Sequence, residues 1–345
     1  MYQLAKSLLF ALDPERAHHL GIAALKAMGP FARSLRPAAN PLLATRVAGI
    51  DFESPVGLAA GLDKNAEAVA GLFGLGFGFV EIGTVTPRPQ PGNPKPRLFR
   101  LPEHEALINR LGFNNHGAEV VAQRLKAVSW RPGPVGVNLG KNKDTPLENA
   151  ASDYVACAKV LGPLGDYVVV NLSSPNTPGL RQLQEPEALE GLLRAVRETV
   201  TGKPLFLKIA PDLADEAIDT VVDVARACGV DGVICTNTTI ARPITHPLAG
   251  EVGGLSGKPL RQRSTEVVRR AFARGKGALP IIGVGGIFTA DDAWEKISAG
   301  AALVQIYSGF IYRGPGLPAS LCEGLSERVT QAGLTSIAQA VGRNA

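Results

Sequence analysis

The segment Val168-Val169-Val170-Asn171-Leu172-Ser173-Ser174-Pro175-Asn176-Thr177-Pro178-Gly179 runs a β-branched stretch into amides and hydroxyls, then stops at proline and glycine. A buried parallel strand with such an ending delivers polar side chains into a cavity at its carboxyl end. Uncharged amides there can read a planar ligand that both donates and accepts hydrogen bonds, and a serine can exchange a proton. Comparable endings recur at Asp63-Lys64, Thr84, Asn138, Lys208, Thr236-Asn237-Thr238, Gly285-Gly286 and Tyr307-Ser308. Their convergence on one mouth points to a functional site rather than to ordinary loop solvation.

The glycines suit a phosphate-bearing ligand. Ile281-Ile282-Gly283-Val284-Gly285-Gly286-Ile287 and Ile306-Tyr307-Ser308-Gly309 close the last two strands, and Gly257 adds a further bare amide. Backbone N–H groups without side chains can approach phosphate oxygens closely. Lys208 could offset negative charge on a flavin ring that accepts hydride, so flavin mononucleotide (FMN) is one candidate. Gly136-Val137-Asn138-Leu139-Gly140-Lys141-Asn142 and Gly253-Gly254-Leu255-Ser256-Gly257-Lys258-Pro259 lack the spacing and the following Ser or Thr of a P-loop. No cluster of His, Cys and carboxylates occupies the strand ends, so no metal is expected.

Eight short apolar runs position these residues: Val56–Gly61, Phe79–Val85, Val135–Gly140, Tyr167–Ser173, Pro204–Ala210, Gly232–Asn237, Pro280–Gly286 and Leu303–Ser308. Amphipathic segments such as Glu187–Val200, Asp215–Cys228 and Ser264–Arg274 separate them, and Pro87–Arg110 forms an extra loop. Repeated strand–helix alternation predicts an α/β fold of the (β/α)8 TIM-barrel type, with its site at the carboxyl ends of the strands. A doubly wound open sheet is the rival, but the Gly-x-Gly-x-x-Gly turn expected after its first strand is missing. Arg46–Phe52 reads as a small hairpin that plugs the amino-terminal end of the barrel.

Composition removes other classes. The chain of 345 residues, 45% apolar, can bury a large core. Its four cysteines form no C-x-x-C pair, which fits a reduced interior. Basic residues exceed acidic ones by 36 to 31, yet no basic run interleaves with aromatics, so nucleic acid is not an expected partner. No apolar stretch reaches the roughly 20 residues of a membrane span, and no signal-peptide layout opens the chain.

Ala59-Ala60-Gly61-Leu62-Asp63-Lys64, Glu81-Ile82-Gly83-Thr84-Val85-Thr86-Pro87, Asn109-Arg110-Leu111-Gly112-Phe113-Asn114-Asn115, Asn171-Leu172-Ser173-Ser174-Pro175-Asn176-Thr177 and Gly283-Val284-Gly285-Gly286-Ile287 resemble the dihydroorotate dehydrogenases. The likeness runs essentially from end to end, with the motifs in family order. It is strongest to the class 2, quinone-dependent branch. Class 1 enzymes use a cysteine where this chain has Ser174, and they lack an extension of about forty residues before the barrel.

The resemblance implies oxidation of dihydroorotate to orotate in pyrimidine (UMP) biosynthesis, with Ser174 as catalytic base. It places the substrate against Lys64, Asn109, Arg110, Leu111, Gly112, Phe113, Asn171, Asn176, Asn237 and Thr238. FMN would contact Ala59, Ala60, Gly61, Leu62, Asp63, Thr84, Asn138, Asn171, Lys208, Thr236, Gly257, Gly286, Tyr307 and Ser308. Thr177 and Phe113 would line a path that relays the serine proton outward. His18, Arg100 and Tyr307 would face the quinone. A soluble class 1-like enzyme using fumarate or NAD, and a non-redox phosphate-binding barrel, are the alternatives.

Residues 1–40 carry five basic side chains (Lys6, Arg16, Lys26, Arg33, Arg36) against Asp13 and Glu15, a formal +3. Leu4, Leu8, Leu9 and Leu12, then Leu20, Ala23, Ala24 and Ala27, recur at helical spacing, and Asp13-Pro14-Glu15 is a helix-start signal. Two basic amphipathic helices fit a surface that dips into lipid headgroups without crossing the bilayer. The expected organisation is therefore a quinone-access extension (1–40) followed by a catalytic barrel (41–345). The expected state is a monomer, peripheral on the cytoplasmic side of a bacterial inner membrane.

Overall fold

The computed structural model describes residues 2–345, and the side chains of residues 3–5, Leu4 among them, lie outside that description. Eight parallel strands close into a barrel in chain order: Val56–Leu58, Phe79–Val85, Val135–Leu139, Tyr167–Asn171, Leu205–Ile209, Gly232–Cys235, Ile281–Val284 and Ala301–Ile306. The eighth pairs with the first through Val304 and Val56, and the fifth with the sixth through Leu207 and Val233. Each strand matches an expected run, but most stop one to three residues early. The final residues of those runs, such as Gly61, Ser173 and Asn237, leave the ladder and turn toward the mouth.

Helices between the strands cover the barrel because their apolar residues repeat on one face. In Pro186–Thr199, Leu189, Leu192, Leu193 and Val196 are buried at helical spacing. Burial of each such side chain contributes roughly 1.5–3 kcal/mol. Helix Ala290–Ser298 starts with a capping box in which Thr289 and Asp292 satisfy each other's backbone N–H groups. Asp292 also accepts from Phe288 N at 2.9 Å, which ties down the loop after the seventh strand.

The predicted hairpin forms from Thr45–Val47 and Ile50–Phe52. Val47 and Phe52 pack with Phe79, Tyr167, Phe206, Ile282 and Leu303, so the amino-terminal end is closed by side chains. The extra loop holds more order than its sequence suggests. Leu98–Leu101 and Ala106–Asn109 form a hairpin, and Gly254–Gly257 joins it as a third antiparallel strand.

Ahead of the barrel run helices Tyr2–Ala11 and Pro14–Met28, followed by a short helix Ala32–Leu35. Asp13 caps the second helix by accepting from Glu15 N and Arg16 N, with Pro14 in the first turn. Among the described residues no helix is long and apolar enough to cross a membrane.

Candidate active site

A cavity opens at the carboxyl ends of the strands. Ala59, Ala60, Gly61 and Lys64 line it after the first strand, Thr84 from the second, Asn171, Ser174 and Asn176 after the fourth, and Lys208 from the fifth. Thr236, Asn237 and Thr238 follow the sixth strand, Gly286 the seventh, and Tyr307 and Ser308 the eighth. The extra hairpin brings Asn109, Leu111, Gly112 and Phe113, and the strand paired to it brings Gly257.

Four expected contacts sit elsewhere. Asn138 is fully buried beneath the cavity floor. Leu62 faces a second cavity, described below. The Asp63 carboxylate accepts from the backbone N–H groups of Asn65, Glu67 and Ala68 at 3.3, 2.9 and 2.8 Å, so it holds the turn after the first strand. Arg110 pairs with Glu251 at 2.6 Å on the rim. Thr177 is buried on the loop carrying Ser174 but does not line the cavity.

A network fixes which way the amides point. Thr84 Oγ1 donates to Asn138 Oδ1 at 2.6 Å, and Asn171 Nδ2 donates to Thr84 Oγ1 at 2.9 Å. Asn138 Nδ2 donates to Glu81 Oε1 at 2.8 Å, and Gln305 Nε2 donates to Glu81 Oε2 at 2.6 Å. Glu81, buried in the barrel, accepts from both amides and so fixes the orientation of Asn138 and Gln305. Asn237 Nδ2 donates to Ser173 Oγ at 2.9 Å, and Asn176 Nδ2 donates to Asn109 Oδ1 at 3.2 Å. Ser174 Oγ accepts from Asn176 N at 3.2 Å.

Charge in the site is positive and poorly solvated. Burial lowers the Lys208 ammonium below its usual range, opposed by the charge of Glu81. Burial likewise brings Lys64 down to about 8, with Arg97 reinforcing the shift and Glu15 and Asp63 opposing it. Lys64 Nζ donates to Gly61 O at 2.7 Å. Burial pushes the Tyr307 hydroxyl up to about 12, so it stays protonated.

The glycine end is built for backbone contact. Gly257 and Gly286 have φ of 100° and 71°, where L side chains are strained. Behind them the fully buried Lys296 donates to Ser264 Oγ at 2.5 Å and Thr265 Oγ1 at 2.9 Å, and Ser264 Oγ donates to Gly285 O at 3.1 Å. Ser308 Oγ lies 2.8 Å from Ser256 Oγ.

Two buried polar atoms on the cavity wall, Thr238 Oγ1 and Gln305 Oε1, have no hydrogen-bond partner among the described residues. A planar heterocycle with N–H and C=O groups along its edges matches such atoms, and bare glycine amides match a phosphate. The residues present fit a flavin nucleotide.

Ser256 and Gln305 also line the cavity without having been assigned to it from sequence. Gln305 did carry a signal: it is the one amide in the otherwise apolar strand Ala301–Ile306. Ser256 had none, because its placement depends on pairing with Leu107.

A second cavity, of about 280 Å³, lies between the N-terminal helices and the barrel. Leu9, Phe10, Ala17, Ile22 and Leu25 from the helices face Leu62, Leu98, Leu107, Phe310 and Ile311. Tyr2, His18, Arg100 and Tyr307 are its polar-tipped members, and Tyr307 borders both cavities. Burial, with the charges of Lys64 and His19, lowers His18 to about 3, which keeps its imidazole neutral. Arg100 donates to the Phe10 and Leu12 carbonyls at 2.8 and 3.0 Å, which pins the first helix end to the extra hairpin.

Residues 42–329 match the family described as dihydroorotate dehydrogenase. A relative from Myxococcus xanthus, named dihydroorotate dehydrogenase (quinone), is 62% identical, covering 99% of this chain and 97% of its own length. This chain belongs to the dihydroorotate dehydrogenase family. Another relative, from Acidithiobacillus ferrooxidans and carrying the same name, is 52% identical over 100% of this chain and 99% of its own. The crystal structure of DHODH in complex with ferulenol from Eimeria tenella superposes with a TM-score of 0.90 at 42% identity, covering 96% of each chain. The family is flavin-dependent, which agrees with the fit found at the barrel mouth.

Proposed function

We propose that this protein is a quinone-dependent dihydroorotate dehydrogenase that oxidises (S)-dihydroorotate to orotate with FMN as its cofactor. One observation carries the reading. A polar, amide-lined cavity and an apolar cavity share the Tyr307 wall, so an anionic pyrimidine and a greasy acceptor can each reach one bound flavin.

Lys64 binds the substrate carboxylate, and Asn109, Asn171, Asn176, Asn237 and Thr238 read the ring edge, where amides donate and accept together. Ser174 Oγ removes the proton from C5. The strand-end residues would hold FMN, which would supply two-electron redox chemistry between the hydride-donating C6 of the substrate and the quinone. A serine is a weak base in water, so the barrier must fall elsewhere. Lys64 stabilises enolate-like charge on the substrate, an electrostatic contribution of several kcal/mol in sites of this kind. Thr177 and Phe113 line the path by which the serine proton leaves.

Gly257, Gly286 and Ser308 would hold the phosphate of FMN, while Lys208, Thr84 and Thr236 would hold its ring system. His18 and Arg100 place the quinone head group beside Tyr307. Residues 1–40 act as the quinone-access extension and 41–345 as the catalytic barrel. All site residues come from one chain, so a monomer suffices.

Five of the eight large apolar side chains exposed among the described residues, Leu8, Leu12, Leu20, Phe31 and Leu35, lie in this basic extension. That distribution supports peripheral attachment to the cytoplasmic face of a bacterial inner membrane. The decisive experiment is an anaerobic absorbance trace. Dihydroorotate should bleach the bound flavin, and a short-chain quinone should restore the colour. A flavin that stays yellow with dihydroorotate overturns the reading.

A further inference from the structure

The N-terminal helices reach the polar site as well as the apolar one. Glu15, in the first turn of helix Pro14–Met28, is buried and forms a two-pronged pair with the buried Arg97. Arg97 Nη2 donates to Glu15 Oε1 at 2.5 Å and Nε donates to Oε2 at 3.1 Å. The remaining nitrogen, Nη1, donates to the carbonyls of Pro91 and Asn93 at 2.6 and 2.8 Å. Arg97 thus spends one edge on the helix and the other on the turn that carries Asn93.

Asn93 in turn grips the substrate side. Its Nδ2 donates to Arg110 O at 3.0 Å and to Asn176 O at 3.1 Å, and its N–H donates to Leu111 O at 3.0 Å. Asn176 and Leu111 line the polar cavity, and Asn176 is bonded to Asn109 there. The space is too tight for the turn to slide: a Cβ on Gly92 would sit 2.8 Å from Arg97 Nη1, and one on Gly112 would sit 2.7 Å from Asn93 Nδ2.

We infer that Glu15 is a positioning residue for the pyrimidine site, acting through Arg97 and Asn93 on Asn176 and Asn109, so that the N-terminal helices help set substrate affinity. The inference rests on the proposed function, whose polar cavity it deepens. Glu15 has no seat in the apolar cavity, although Pro14, Ala17 and His18 do. Loss of its carboxylate leaves a buried guanidinium unpaired and frees the turn.

The test uses full-length, flavin-loaded protein and separates the two half-reactions. In Glu15→Gln, the dihydroorotate concentration for half-maximal anaerobic flavin bleaching should rise about tenfold, a mid-range effect for residues joined in one hydrogen-bond network. Reoxidation of the reduced flavin by a short-chain quinone should stay within about twofold of the parent, and Glu15→Asp should recover part of the loss. If Glu15→Gln does not fold, Arg97→Lys, which cannot make both sets of bonds, should show the same split.

An unchanged dihydroorotate dependence overturns the inference. So does an equal slowing of reoxidation, which would mean that the helices had simply come loose. A parent protein that dihydroorotate fails to bleach removes the proposed function itself, and this inference with it.

Discussion

The two cavities that meet at Tyr307 are made in opposite ways. At the barrel mouth the working side chains are short, polar and mutually bonded, as in the run from Glu81 through Asn138 and Thr84 to Asn171. Under the helices the walls are Leu, Ile and Phe, and the few polar groups grip backbone, as Arg100 does. A hydrogen-bonded site tolerates little displacement, because each group freed from its partner is left buried and unpaired. An apolar wall can repack around a change of similar volume at modest cost. Damage to the first should therefore be chemical and specific, and damage to the second should be a loss of access.

The largest effect expected is on the polar side. Ser174→Ala should slow flavin reduction by dihydroorotate by about 10²–10⁴-fold, the usual range for a lost general base, while quinone reoxidation stays intact. Near-normal bleaching would remove Ser174 from the chemistry.

Deleting residues 1–40 should do the reverse. Quinone turnover should fall to background while dihydroorotate still bleaches the flavin, now at a higher concentration because Glu15 is gone. Full quinone turnover in the truncated protein would erase the contrast between the cavities.

A smaller effect follows from Lys64, whose protonated form would pair with the substrate carboxylate on the proposed reading. Dihydroorotate affinity should be highest below pH 8 and decline as pH rises through about 8, where the free enzyme loses that charge. The decline should approach about tenfold per pH unit, and Lys64→Gln should be weak and flat over the same range. His18, already neutral, should add no inflection between pH 5 and 8 to quinone reduction.

The mildest change concerns lipid. Replacing exposed Leu8 and Phe31 together by serine should weaken binding to vesicles of anionic phospholipid by roughly three- to tenfold and leave bleaching untouched. Unaltered vesicle binding would point away from this face as the membrane contact.

The contrast also explains what was legible in the chain. Barrel strands announce themselves because burial on both sides demands continuous β-branched runs, and the polar residues that end them stand out. Lys64, Asn171, Ser174 and Asn237 were readable for that reason. Strand Gly254–Gly257 was not, since its partner Ala106–Asn109 lies far away in sequence and half of its own residues are glycine.

Asp63 was read as a polar strand end at the mouth, and its carboxylate instead spends itself on three backbone bonds that anchor the turn. Glu15 was legible as a helix-start residue and as one of two acids in a basic arm. Its burial depends on an arginine 82 positions later, and no local pattern encodes such a meeting.

The ring of Tyr307 leaves a further mark on how turnover must proceed. Because that ring borders both chambers, the water-soluble reactant and the oily one would, on the proposed reading, enter by different doors without touching. Each can dock while the other is absent, so oxidation and reduction can be run as independent events, and crowding at one entrance need not obstruct the other.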